Sequence, residues 1–118
     1  MADYRWVGAA GVFERLKKLK IATIETNVGW IPTYINHMDR AYRAQHMWQR
    51  PELPRLPSEY FRENCYSTLL EDTLMLDTVV AMGYEDNILW SNDYPHHEGS
   101  FPHSHANIQR QMKNLTDE

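Results

Sequence analysis

The chain has 118 residues, 42% of them hydrophobic and 24% charged, with a formal net charge of -4; that suits one small domain and gives no electrostatic reason to expect nucleic acid as a partner. No apolar run approaches the roughly 20 residues a membrane-spanning helix needs, which argues against a membrane partner. Residues 1–6 do not read as a secretory signal, and the single cysteine, Cys65, excludes an internal disulfide framework, so a cytoplasmic location is the default expectation.

In chain order, residues 7–19 set Val12, Phe13, Leu16 and Leu19 at helical spacing, with lysines outward. Residues 20–26 read as a short strand carrying Ile21 and Ile24. Gly29-Trp30-Ile31-Pro32 turns the chain, and Pro32 suits a first helical turn, where its missing N–H is not needed. The helix that follows is predicted over residues 32–47, with Tyr34, Ile35, Met38, Ala41 and Tyr42 as one apolar stripe. Residues 49–57 hold three prolines and are predicted as a loop. Ser58 is placed to cap a short helix over residues 59–63.

Residues 65–70 read as a second strand. Asp72 or Thr73 opens a helix that faces inward through Leu76, Val79 and Val80, and Gly83 stops it. Residues 87–91 are a third strand, whose run Ile88-Leu89-Trp90 predicts cover on both faces. A polar loop over residues 92–103 leads to a last helix from Ser104, buried through Ile108, Met112 and Leu115.

Strands separated by helices imply an α/β fold with parallel neighbours and right-handed crossovers. Three parallel strands would leave open edges and apolar faces as a free-standing domain. The expectation is therefore about three βα units of a larger array such as a (β/α)8, or TIM, barrel.

Chemistry concentrates after the third strand. Trp90-Ser91-Asn92-Asp93-Tyr94-Pro95-His96-His97 ends an apolar strand on an acid, and in βα barrels catalytic groups sit at that end of a strand. A carboxylate there can ligate a divalent metal or take a proton from water; it can equally cap its own loop. His103-Ser104-His105 has the H-x-H spacing of a metal pair. It straddles a helix start, however, where positions i and i+2 diverge, so it is not expected to ligate. His97 reads as a loop residue, and Cys65 as a small buried hydrophobe.

The stretch Asn87-Ile88-Leu89-Trp90-Ser91-Asn92-Asp93-Tyr94-Pro95-His96 resembles the final-strand motif of the amidohydrolase-related (amidohydrolase 2) family, in its aminocarboxymuconate-semialdehyde decarboxylase-like branch. Further stretches are similar in order and spacing. Gly11-Val12-Phe13-Glu14-Arg15 with Leu19-Lys20 resembles the approach to the sixth barrel strand. Gly29-Trp30-Ile31-Pro32 with Met38-Asp39-Arg40-Ala41-Tyr42 resembles the turn and helix after it. The run from Leu56 to Tyr66 resembles the approach to the seventh.

The resemblance implies that the whole chain, residues 1–118, is the C-terminal portion of such a barrel, strands six to eight. It implies that Asp93 is catalytic and a metal ligand, in an enzyme using a divalent cation, zinc in the first instance. Glu25, Asn27 and His96 are the expected substrate-binding residues on the same rim. Glu25 stands where that family often carries a histidine. The metal's other ligands belong to strands that this sequence does not contain.

The expected function is that of a fragment of a metal-dependent hydrolase or decarboxylase of a small carboxylated organic substrate, inactive alone; the start at Met1 just before a mid-barrel helix agrees with a fragment. The alternative is a non-catalytic half-barrel that serves in assembly, pairing its exposed strand edges with a second copy as a homo-oligomer.

Overall fold

The computed structural model describes residues 11–44 and 53–116. Its elements run α1 (Val12–Arg15), β1 (Ile21–Thr23), α2 (Trp30–Ala44), α3 (Pro57–Asn64), β2 (Cys65–Leu69), α4 (Leu76–Ala81), a 3-10 turn (Glu85–Asn87), β3 (Ile88–Trp90) and α5 (Ser104–Gln111). The three strands form one parallel sheet in the order β1-β2-β3. Ile21 is level with Cys65 and Thr23 with Ser67; Ser67 is level with Ile88 and Leu69 with Trp90. The predicted alternation and parallel pairing are thus present.

Side chains alternate across a strand, so this register sorts the sheet into two faces. Ile21, Thr23, Cys65, Ser67, Leu69, Ile88 and Trp90 share one face, and the helices cover it. Cys65 and Leu69 join Phe13, Val28, Ile31, Ile35, Phe61, Leu76 and Val79 in the buried core. Edge-to-face ring pairs knit that core: Trp30–Phe61 at 5.9 Å and Phe61–Tyr84 at 5.5 Å. The opposite face carries Ala22, Ile24, Tyr66, Thr68, Leu70 and Leu89. Here the expectation of cover on both faces fails within the described residues, since Ile24 is 60% and Leu89 45% exposed. The helices that follow β1 and β2 return to the same side of the sheet and leave the other side open.

Several local expectations shift. Leu16 ends α1 in a non-helical conformation, and both Leu16 and Leu19 are exposed rather than buried. Residues 7–10 of that predicted helix, residues 45–47 of the next and residues 49–52 of the predicted loop lie outside the described residues. Helix α2 begins at Trp30, two residues early, with Ile31, Ile35 and Met38 buried. Pro57 opens α3 instead of closing the loop, because proline is preorganised for a first helical turn. The capping comes from Glu59, whose Oε2 accepts from Leu56 N at 2.7 Å, while Ser58 donates its own N–H to Asp39 Oδ1 at 2.9 Å.

Helix α4 starts at Leu76, after a turn in which Asp72 accepts from Met75 N. In α5 the most buried residues are Asn107 and Gln111; Ile108, Met112 and Leu115 are half-buried. The reason is polar. Beyond β2 the chain has backbone groups to satisfy, and Gln111 serves two of them: Nε2 donates to Leu70 O at 2.8 Å and Oε1 accepts from Asp72 N at 2.8 Å. Asn107 Oδ1 accepts from Gln111 Nε2 and Trp90 Nε1. No described helix is long and apolar enough to cross a membrane.

Candidate functional site

The C-terminal ends of β1 and β3 carry the three non-glycine residues with positive φ among those described: Glu25 (59°), Asn27 (53°) and Asp93 (53°). Asparagine and aspartate adopt this left-handed backbone readily, whereas for other side chains it costs about 1–2 kcal/mol. The Glu25 backbone is held by its N–H, which donates to Thr68 Oγ1 at 2.7 Å. Thr68 lies at the end of β2, on the otherwise open face, and is only 6% exposed.

Asn27 ties the first two strand ends together. Its side-chain Oδ1 accepts from Leu70 N at 3.0 Å and Glu71 N at 3.1 Å, and its backbone O accepts from Ser67 Oγ at 2.8 Å and Trp30 Nε1 at 3.0 Å. Under these bonds lies a hydroxyl cluster: Thr26 Oγ1 donates to Thr23 Oγ1, which donates to Ser67 Oγ. Asp72 adds a further tie, accepting Gly29 N at 2.6 Å.

Asp93 follows β3, whose pairing with β2 continues through Ser91 N to Leu69 O at 2.9 Å. Its side chain is only 6% exposed and meets His96, with Nδ1 2.9 Å from Asp93 Oδ1. A carboxylate can only accept, so Nδ1 carries the proton. Glu25 closes the group from β1, its Oε1 4.0 Å from His96 Nδ1. The loop that holds Asp93 and His96 is tight. His96 N donates to Asp93 O at 2.8 Å, Gly99 N to His96 O at 3.0 Å and Ser100 N to Asn92 O at 3.0 Å. A Cβ at Gly99 would lie 2.5 Å from Asn92 O and 3.0 Å from both Asp93 O and His96 O, so only glycine fits there.

The electrostatics centre on Asp93. Hydrogen bonding to Asp93, and then its charge, raises the His96 pKa above the ordinary imidazole value. The same two effects raise Glu25 above the ordinary carboxyl range, since two carboxyls in contact cannot both ionise freely. Glu25, Asp93 and His96 each direct one potential ligand atom into a common region, with all three atoms within 4.8 Å of one another. Two carboxylate oxygens and an imidazole nitrogen make a donor set suited to a divalent cation.

Of the four residues expected on this rim, the fold brings Glu25, Asp93 and His96 together, while Asn27 lies below them with its amide oxygen bonded to the backbone. His103 and His105 flank the start of α5, both exposed, and His97 is exposed in the loop. The sequence reading missed Thr68 and Gly99. Gly99 had a legible signal, as a glycine six residues after the acid in a polar loop; Thr68 had none, because nothing local shows that it lies beside Glu25.

The match to known proteins agrees with this geometry. Residues 7–118 match the family model described as Amidohydrolase. Among solved structures, the amidohydrolase map2389c from Mycobacterium avium subsp. paratuberculosis K-10 is similar at 26% identity and a TM-score of 0.78, over 97% of this chain and 28% of that one. The 5-carboxyvanillate decarboxylase LigW from Sphingomonas paucimobilis is similar at 26% identity and a TM-score of 0.68, over 80% of this chain and 29% of that one. The chain thus spans under a third of the length of either structure. No curated protein matches it. Three parallel βα units, helices on one side of the sheet among the described residues and a match along nearly all of the sequence lead to one conclusion: this chain belongs to the amidohydrolase family and forms part of its (β/α)8 barrel.

Proposed function

We propose that residues 1–118 supply strands six to eight of a metal-dependent hydrolase or decarboxylase acting on a small carboxylated organic molecule. The observation that carries this reading is the seating of Asp93, whose nearly enclosed side chain at the end of β3 meets His96 and stands beside Glu25. The donor types fit a divalent ion, zinc in the first instance, which when bound polarises substrate oxygen and acidifies water. Asp93 then holds or releases a proton at its carboxylate. His96, which Asp93 makes more readily protonated than an ordinary imidazole, suits a substrate carboxylate. Glu25 borders the same space, and Asn27 positions it by fixing the end of β1 against that of β2. A carboxylated substrate is in keeping with LigW, described as a 5-carboxyvanillate decarboxylase. Family membership favours an enzyme over a non-catalytic assembly module.

The test is turnover. The 118-residue chain alone is expected to release no carbon dioxide and to hydrolyse nothing from a panel of small aromatic and aliphatic carboxylic acids and their amides. A complete barrel containing it is expected to be active with zinc or manganese, and Asp93→Asn to lower its rate by a factor on the order of 10²–10⁴. Full activity in Asp93→Asn would reject the assignment.

A further inference from the structure

On the helix side of the sheet, α2, α3 and the residues that follow α4 border a groove that shares no residue with the rim around Asp93. Its volume of about 540 Å³ lies within the range of roughly 300–1,000 Å³ that small-molecule sites occupy. Ile35 and Tyr84 reach it from the buried core, and Met82 adds an exposed apolar edge. Asp39 lines it from α2 and Arg62 from α3.

Both charges are held in place by bonds that use only part of their capacity. Asp39 Oδ1 accepts from Ser58 N at 2.9 Å, in the first turn of α3. Arg62 Nη1 donates to Gly83 O at 2.5 Å, and its guanidinium carbon lies 4.6 Å from the centre of the Tyr84 ring. A guanidinium has five N–H groups and a carboxylate two oxygens, so each keeps sites to spare. Neither group forms an ion pair among the described residues. Both nevertheless act on one hydroxyl. Burial raises the Tyr84 pKa above the ordinary phenol value, Arg62 opposes that rise and Asp39 adds to it.

Opposite charges that face one groove without pairing complement a molecule that carries both charges itself. A ligand with a carboxylate alone meets Asp39 as a like charge, and one with an ammonium alone meets Arg62 in the same way. We propose that this groove is a ligand site separate from the rim. It takes a small zwitterion whose carboxylate meets Arg62, whose ammonium meets Asp39 and whose carbon chain lies over Ile35 and Met82.

The test titrates the 118-residue chain with the zwitterions γ-aminobutyrate and ε-aminocaproate, and with caproate and hexylamine as singly charged controls. Binding is read from NMR shifts of the backbone amides. Those of Ser58, Arg62 and Gly83 are expected to move, and the better zwitterion should bind at least about threefold tighter than either control. Asp39→Asn keeps an acceptor for Ser58 N, and in it the zwitterion should bind no tighter than caproate. In Arg62→Gln it should bind no tighter than hexylamine. Circular dichroism checks that each variant keeps its fold; should Arg62→Gln lose it, Asp39→Asn decides alone. A control that binds as tightly as both zwitterions overturns the proposal, and so does a preference that survives Asp39→Asn. Shifts confined to the loop of residues 92–99, or none at about 100 mM ligand, overturn it as well.

Discussion

Asn27 ties the end of β1 to the end of β2, and its replacement should read out chiefly as lost stability. Two backbone N–H groups, of Leu70 and Glu71, donate to its side-chain oxygen, and its φ is +53°. In Asn27→Ala both bonds vanish, for about 0.5–1.5 kcal/mol each. Alanine must also hold a left-handed backbone, for about 1 kcal/mol more. The sum is about 2–4 kcal/mol. Asn27→Gly loses the same bonds without the left-handed penalty and should be about 1 kcal/mol more stable than the alanine variant. Urea unfolding followed by circular dichroism and by tryptophan fluorescence measures both; Trp30 is a local reporter, since its Nε1 donates to Asn27 O. An alanine variant within about 0.5 kcal/mol of wild type would refute the bracing role, and equal stabilities for alanine and glycine would refute the backbone part of the argument.

Further outcomes follow from the same geometry. Phe61→Ala empties a site that is fully buried between Trp30 and Tyr84 and should cost about 3–5 kcal/mol, seen as a large fall in Tm. Gly99→Ala forces a Cβ into three backbone carbonyls of the loop; it should disturb the Asp93–His96 contact while leaving the core intact, visible as shifted His96 ring resonances without loss of native circular dichroism. His96 should titrate above 6.5 in the folded chain, because Asp93 accepts its Nδ1 proton and supplies negative charge. Its contribution to stability is fully present below the unfolded pKa of about 6.5 and is lost as pH rises through the folded value. Asp93→Asn should return the midpoint, read by NMR, toward 6.5; an unchanged midpoint would show that Asp93 is not the cause.

Much of the fold was legible because hydrophobic periodicity acts locally. The spacing of Ile31, Ile35 and Met38 makes one face of a helix whatever that face packs against, and the short apolar run Ile88–Trp90 reads as a buried strand. The position of Asp93 after an apolar strand, and the resemblance carried by the residues around it, singled out the acid. Residue pattern could not say which polar groups would be needed inside. Asn107 and Gln111 are buried in α5 in preference to Ile108 because backbone groups beyond β2 need partners, and that need arises only once the strands are side by side. The same holds for the rim. Glu25 and Asp93 lie 68 positions apart in the chain, and only the parallel order β1-β2-β3, with left-handed turns at both strand ends, brings their carboxyls to one point beside His96. Sequence by itself determined the elements and the acid; tertiary structure decided its neighbours, because the proximity of distant residues is a property of strand order and register.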